Sequence, residues 1–198
     1  VHYMDSHRPY AINAESPAFA PSLERSEIID LMAQAGVNPD SLTDEQRQLL
    51  IDLYDSAIRY TSSHVSRLFA ELDRAGLWND TAVILAADHG EEFGEHGEYF
   101  HRNRPYDELT QVPLFLRIPG ETIENDIATE PRELLDIAPT VCRLHDVEPP
   151  MSFLGTDLRD ATPRRPLTTG SFQDDDPVVA ARWDGWKYMT TDDGPMLF

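Results

Sequence analysis

Cysteine occurs once in the 198 residues, at Cys142, which excludes an internal disulfide framework and the multi-cysteine zinc patterns. Its setting, Asp136-Ile-Ala-Pro-Thr-Val-Cys142-Arg-Leu-His145, has a helical apolar period, so a buried structural thiol is expected rather than a nucleophile. Lysine also occurs once, at Lys187, and arginine supplies every other basic residue. Positive charge is scarce overall: 16 basic residues stand against 36 acidic ones, a formal net charge of -20. A surface of that sign repels nucleic acid and anionic membranes, so neither is an expected partner. Acid-rich, lysine-poor surfaces with ordinary hydrophobic content are expected of salt-loving microbes, where a screening length of a few ångströms relieves self-repulsion. No apolar run approaches the roughly 18 residues of a membrane span. No G-x-S-x-G elbow, P-loop or G-x-G-x-x-G motif occurs, which removes the serine-hydrolase and nucleotide-loop readings.

The densest chemistry lies in Thr81-Ala-Val-Ile-Leu-Ala-Ala-Asp88-His89-Gly90-Glu91-Glu92-Phe93-Gly94-Glu95-His96-Gly97. An apolar run of strand length that breaks into carboxylate, imidazole and glycine predicts a buried parallel strand delivering polar side chains to its carboxyl end. In open α/β sheets that is where ligands bind. Asp88 and His89 are therefore candidate metal ligands, one offering a carboxylate oxygen and the other an imidazole nitrogen.

Two ligands do not close a coordination sphere, so companions must converge from elsewhere in the chain. His7, in His7-Arg8-Pro9-Tyr10, and His101, flanked by Arg102 and Arg104, are the candidates. A cationic cluster beside a metal is what a tetrahedral anion requires. His96 is expected to order its loop, His2 to sit in a sheet, and His64 and His145 to be structural residues on helices. Glu91, Glu92 and Glu95 could be ligands or bases, but solvated loop acids are the expectation in so acidic a chain.

Helices are predicted over residues 22–35, closed by Gly36, and over 43–75, opened by a Thr43/Gln46 capping box and closed by Gly76. Strands are expected at 81–87 and 112–118, with a helix at 133–145. Short strands follow at 167–172, 178–182 and 187–191, with Asp184-Gly185 as a hairpin signal. Val1 to Asp5 reads as the middle of a strand. The helix-then-strand order predicts an α/β fold with a mostly parallel sheet flanked by helices over residues 1–150, and the start of a small antiparallel subdomain over 151–198.

Taken together, His2, Asp5 and His7-Arg8-Pro9-Tyr10, the Asp88-His89-Gly90-Glu91 block with Gly94-Glu95-His96-Gly97, then Tyr106-Asp107-Glu108 and Val112-Pro113-Leu114, resemble the sulfatase family of the alkaline-phosphatase superfamily. Leu135-Asp136-Ile137-Ala138-Pro139-Thr140 and Gly155-x-x-Leu158 extend the resemblance. It implies an alkaline-phosphatase-like fold and a metal-dependent sulfuric ester hydrolase. Asp88 and His89 match the family's strand-end metal ligands, and His7 matches its sulfate-contacting histidine. His101 stands where the family often has a sulfate-binding lysine.

The metal implied is divalent, calcium first, with manganese or zinc compatible with His89. The substrate implied is a sulfate ester of a small molecule or glycan. The family's amino-terminal C-x-P-S-R segment, whose cysteine becomes formylglycine, is absent from these residues, as are two further aspartate ligands. The expectation is therefore a carboxyl-terminal portion of a sulfatase, inactive alone. The parent's compartment is open, the cytoplasm being favoured, and so is its oligomeric state. A phosphate-ester hydrolase or phosphoglycerol transferase of the same superfamily, and a non-catalytic acidic binding domain, are the alternatives.

Overall fold

The computed structural model describes residues 1–10, 18–101, 104–121, 131–160, 167–171, 178–191 and 194–198. Arg102, Phe172 and residues 11–17 lie outside them. The chain divides into two compact units, one of residues 1–81 with 91–102, the other of residues 82–90 with 103–198.

The first unit is built on two helices, α1 (Arg25–Val37) and α2 (Asp44–Arg74). The Thr43/Gln46 capping box forms as the sequence predicts: the Gln46 amide donates to Thr43 Oγ1 at 3.2 Å and the Thr43 amide to Gln46 Oε1 at 3.0 Å. Gly36 does not end α1; the helix runs through it to Val37 and stops at Asn38, whose amide donates to the Gln34 carbonyl. Leu50, Leu53 and Ala57 of α2 pack with Ile28, Leu31, Met32 and Ala35 of α1, at roughly 1.5–3 kcal/mol for each large side chain fully removed from water. The later apolar positions Val65, Leu68, Phe69 and Leu72 are only half-buried, Phe69 lying against Trp78.

A short hairpin, β2 (Glu92–Phe93) and β3 (Tyr99–Phe100), closes this core with three aromatic rings. Tyr10, fully buried, meets Tyr54 edge-on at 5.2 Å. Val1 to Met4 carry no strand, and His2 is exposed rather than seated in a sheet.

In the second unit, β1 (Val83–Ala86) pairs antiparallel with β4 (Leu114–Arg117). Every strand pairing among the described residues is antiparallel. The buried parallel strand expected at 81–87 is instead one half of a two-stranded ribbon, with Leu85 38% and its cross-strand partner Phe115 62% exposed. Two strands have too little sheet around them to bury both faces.

Between β1 and β4 runs the one-turn helix α3 (Asp107–Thr110). A 3₁₀ turn and α4 (Ile137–Leu144) follow; Pro139 is tolerated there because it sits in the first helical turn. Here the resemblance motifs meet. Buried Asp136 accepts from the Thr156 amide at 2.8 Å and the Glu133 amide at 3.0 Å, and Thr140 Oγ1 accepts from the Leu158 amide at 2.8 Å. Gly155 must be glycine, since a Cβ there would lie 2.0 Å from the Leu135 carbonyl oxygen. Cys142 is half-buried on α4, more accessible than the sequence suggests. No described helix is long and apolar enough to cross a membrane.

The three strands predicted after residue 166 are joined by a fourth in an antiparallel meander of β5 (Leu167–Ser171), β6 (Val178–Trp183), β7 (Trp186–Thr191) and β8 (Gly194–Leu197). Asp184 and Gly185 both take positive φ, 50° and 79°, as a two-residue hairpin turn of the primed type demands.

Arg182 and Lys187 stand directly opposite each other on β6 and β7, a like-charge pairing that would repel. Asp107 of α3 resolves it, accepting from Lys187 Nζ at 2.6 Å and from the Arg182 guanidinium at 2.5 and 2.6 Å. Burial alone would raise the Asp107 carboxyl, but the hydrogen bonds and charges of Arg182 and Lys187 outweigh it and hold the group below the usual aspartate range. Because the folded value is depressed, this stabilisation is present above the unfolded-state value and is lost as pH falls through the folded one. The expected result is a melting temperature that drops on acidification from the ordinary aspartate range downward, with Asp107→Asn lowering the neutral-pH value and flattening that acid limb. Parallel thermal melts of the two proteins across the acid range test it.

Candidate functional site

The sequence-predicted residues fall to both units, His7 and His101 to the first and Asp88 and His89 to the second. In the second, β1 ends at Ala86 and the chain turns through Ala87 into Asp88 and His89. The turn is gripped from below: the Gly90 amide donates to the Leu109 carbonyl at 2.9 Å, and a Cβ on Gly90 would lie 1.9 Å from the Glu108 carbonyl oxygen. Glycine is required here for close approach of two backbones. Asp88 Oδ1 accepts from the His89 amide at 3.1 Å and stands 4.0 Å from His89 Nε2. His89 Nδ1 lies 2.8 Å from the Gly90 carbonyl oxygen. A carbonyl only accepts, so Nδ1 carries a proton, and in the neutral ring Nε2 holds the lone pair.

That is the tautomer of a metal-ligating histidine, whose other nitrogen is fixed by a backbone acceptor. Two donor atoms 4.0 Å apart can both reach one cation at bonds of about 2.0–2.6 Å. Asp88 and His89 thus fit a divalent cation as a pair. Among the described residues no group of three or more His, Cys, Asp or Glu side chains gathers for one.

In the first unit the structure brings His7 and His101 together, their ring centroids 5.0 Å apart. His7 Nδ1 lies 2.8 Å from the Arg8 carbonyl oxygen, which again places the proton on Nδ1 and leaves Nε2 as the atom for chemistry. His101 Nδ1 is 3.0 Å from Glu91 Oε1.

Glu91 and Glu92 are not where the sequence places them, and Glu91 matters most for the site. Glu91 is not a solvated loop acid: its side chain is 3% exposed and its carboxylate lies within hydrogen-bond distance of His101. Glu92 is also buried, accepting from the His96 amide at 3.1 Å, and its burial pushes its carboxyl up, which that amide partly offsets. Glu95 is exposed as expected, although its carboxylate takes the Phe93 amide at 2.5 Å. Beside Glu91, burial first and the Glu91 charge second raise the Tyr10 phenol far above its ordinary value, so it stays an O–H group.

His101 follows Phe100, a fully buried aromatic residue with φ of 73°. Bulky residues rarely take that left-handed backbone. The Arg8 guanidinium covers the Phe100 ring at 4.7 Å from its centroid. The signal that could have located Glu91 is its place one residue before a strand whose partner, in the same hairpin, leads directly into His101.

A model of the sulfatase family matches residues 1–147. An arylsulfatase of Clostridium perfringens is 29% identical over 118 residues, 58% of this chain and 24% of that protein. The human iduronate 2-sulfatase is 38% identical over 69 residues, 35% of this chain and 12% of that protein. The chain thus spans about a quarter or less of the length of these relatives. Among solved structures, a phosphonate monoester hydrolase of Silicibacter pomeroyi superposes with a TM-score of 0.72 at 23% identity, over 100% of this chain and 46% of that one. A protein solved in complex with its substrate D-glucosamine-2-N,6-O-disulfate superposes with a TM-score of 0.70 at 17% identity, over 88% of this chain and 38% of that one. Those two likenesses establish the fold, which is alkaline-phosphatase-like. The family match, extending from Val1 through the helix that carries Cys142, establishes that the chain belongs to the sulfatase family.

Proposed function

We propose that the full-length protein is a metal-dependent sulfuric ester hydrolase in which these residues supply half of the active site. The observation that carries this reading is the His7–His101 pair, two imidazoles with centroids 5.0 Å apart whose Nδ1 atoms are both engaged by acceptors. Two Nε2 atoms so held can bind sulfate oxygens when protonated, or deliver a proton to the departing alcohol. A divalent cation held by Asp88 and His89 would offset negative charge on the ester oxygens. Calcium suits the carboxylate, and His89 also admits manganese or zinc.

The family's formylglycine has no counterpart here. Cys142 lies in Val141-Cys142-Arg143 on α4 and does not fit the C-x-P-S-R context. The substrate class follows from the relatives, among them an iduronate 2-sulfatase and an N-acetylglucosamine-6-O-sulfatase. A sulfated sugar or another sulfate ester is therefore the expected substrate. Residues 1–150 are read as the carboxyl-terminal part of the catalytic α/β domain and 151–198 as the start of its small antiparallel subdomain. Exposed Leu85 and Phe115 support a larger sheet around β1 and β4 in the whole protein. The net charge of -20 supports a protein working at high salt.

The test is a comparison of two proteins. Full-length enzyme is expected to hydrolyse an aryl sulfate, and residues 1–198 alone to release no product above the uncatalysed rate. Turnover by residues 1–198 alone would overturn the division of the site.

A further inference from the structure

Two local costs converge on His101. The Glu91 carboxylate is taken almost entirely out of water, which is unfavourable unless an opposing group compensates it. Phe100, immediately before His101, holds a left-handed backbone that a bulky side chain normally avoids and that persists only where the surroundings over-determine it. Those surroundings are visible: the Phe100 ring is 1% exposed, sits 6.3 Å from the Tyr10 ring and the Tyr99 ring, and is covered by Arg8. Such backbone outliers cluster where a side chain is held for function. Here the side chain so delivered is His101, and its Nδ1 meets the buried carboxylate at 3.0 Å.

We infer that Glu91 is a positioning residue for His101: its carboxylate fixes the imidazole with the proton on Nδ1 and presents Nε2 to the ester. A carboxylate accepts and does not donate, so the contact admits only the Nδ1–H tautomer. Where a lysine would offer a point charge on a flexible stem, the Glu91–His101 pair offers one nitrogen in a set orientation. Glu91 need not touch substrate; it acts through His101. The kinetic part of the inference rests on the sulfate-ester reading of the same site, and the tautomer does not.

The experiment uses the full-length protein with ¹⁵N-labelled histidine, His101 being assigned by its loss in His101→Ala. In the neutral imidazole the wild type is expected to show a protonated Nδ1 and an unprotonated Nε2 at His101. Glu91→Gln keeps the size of the side chain but can donate to Nδ1, so it is expected to move part of the population to the Nε2–H form. With an aryl sulfate, Glu91→Gln is expected to lower kcat by about 10- to 100-fold with little change in KM, and to add nothing on a His101→Ala background.

An Nε2–H tautomer in the wild type overturns the inference even if the variant does not fold. So does an active wild type whose Glu91→Gln variant keeps both the tautomer and kcat. A wild type without sulfatase turnover removes the functional reading while the nitrogen shifts still decide the role of Glu91.

Discussion

Asp88→Ala is expected to abolish divalent-cation binding by the full-length protein and to lower kcat/KM for an aryl sulfate by about a thousandfold, because a bound cation supplies several kcal/mol of charge stabilisation in the transition state. Asp88 has the geometry for this loss to be specific. Its only described structural contact is with its own neighbour, Oδ1 accepting from the His89 amide, and its side chain is 81% exposed. Removing it takes nothing from either core, so thermal stability without metal should be unchanged. Calorimetric titration with calcium, run beside the kinetics and an apo-protein melt, separates lost ligation from lost folding. A variant that binds calcium as well as the wild type would show that Asp88 is not a ligand.

Gly90→Ala is the second large effect expected, and it acts through the backbone. A single methyl would overlap the Glu108 carbonyl oxygen at 1.9 Å, and a backbone oxygen in a hydrogen-bonded turn cannot swing aside as a flexible side chain can. Either α3 or the Asp88–His89 turn must move. Overpacking of this kind costs about 1–3 kcal/mol, so the melting temperature should fall by several degrees. The Gly90–Leu109 hydrogen bond that holds the turn should weaken as well, and calcium affinity should fall with no ligand removed. α3 is itself anchored through Asp107 to Arg182 and Lys187, so the cost cannot easily be absorbed by shifting the helix. Melting curves and calcium titration of Gly90→Ala measure both consequences; unchanged values in both would mean that the close approach is not maintained in solution.

What the sequence disclosed depended on how local the cause was. The Thr43/Gln46 box and the Asp184-Gly185 turn are signatures contained within a few residues, and both form as read. Asp88, His89, His7 and His101 stood out in the sequence only as residue types; the strand expected before His7 does not form, and the structure pairs His7 with His101 through folding of the first unit.

Glu91 was missed because its burial depends on a hairpin partner ten residues away, and an acid among many acids carries no local mark. Lys187 was legible only as a rarity; its ion pair spans 80 residues, and the clue would have been the opposition of two cations across β6 and β7. Gly36 misled because an isolated glycine costs only about 1 kcal/mol inside a helix, less than α1 gains from continuing. The apolar run before Asp88 predicted a covered strand, yet burial depends on neighbouring strands and not on the run itself.

On the proposed function, His7, His101 and the Asp88–His89 pair serve sulfate esters. The phosphonate hydrolase fold neighbour makes the alternative concrete, since the same fold houses that chemistry. The most direct measurement is kcat/KM of the calcium-loaded full-length protein for an aryl sulfate, beside the matching phosphate monoester and phosphonate monoester. If the site serves sulfate esters, the highest value is expected for the sulfate ester, with His101→Ala depressing it. A higher value for the phosphate or phosphonate ester would contradict that reading.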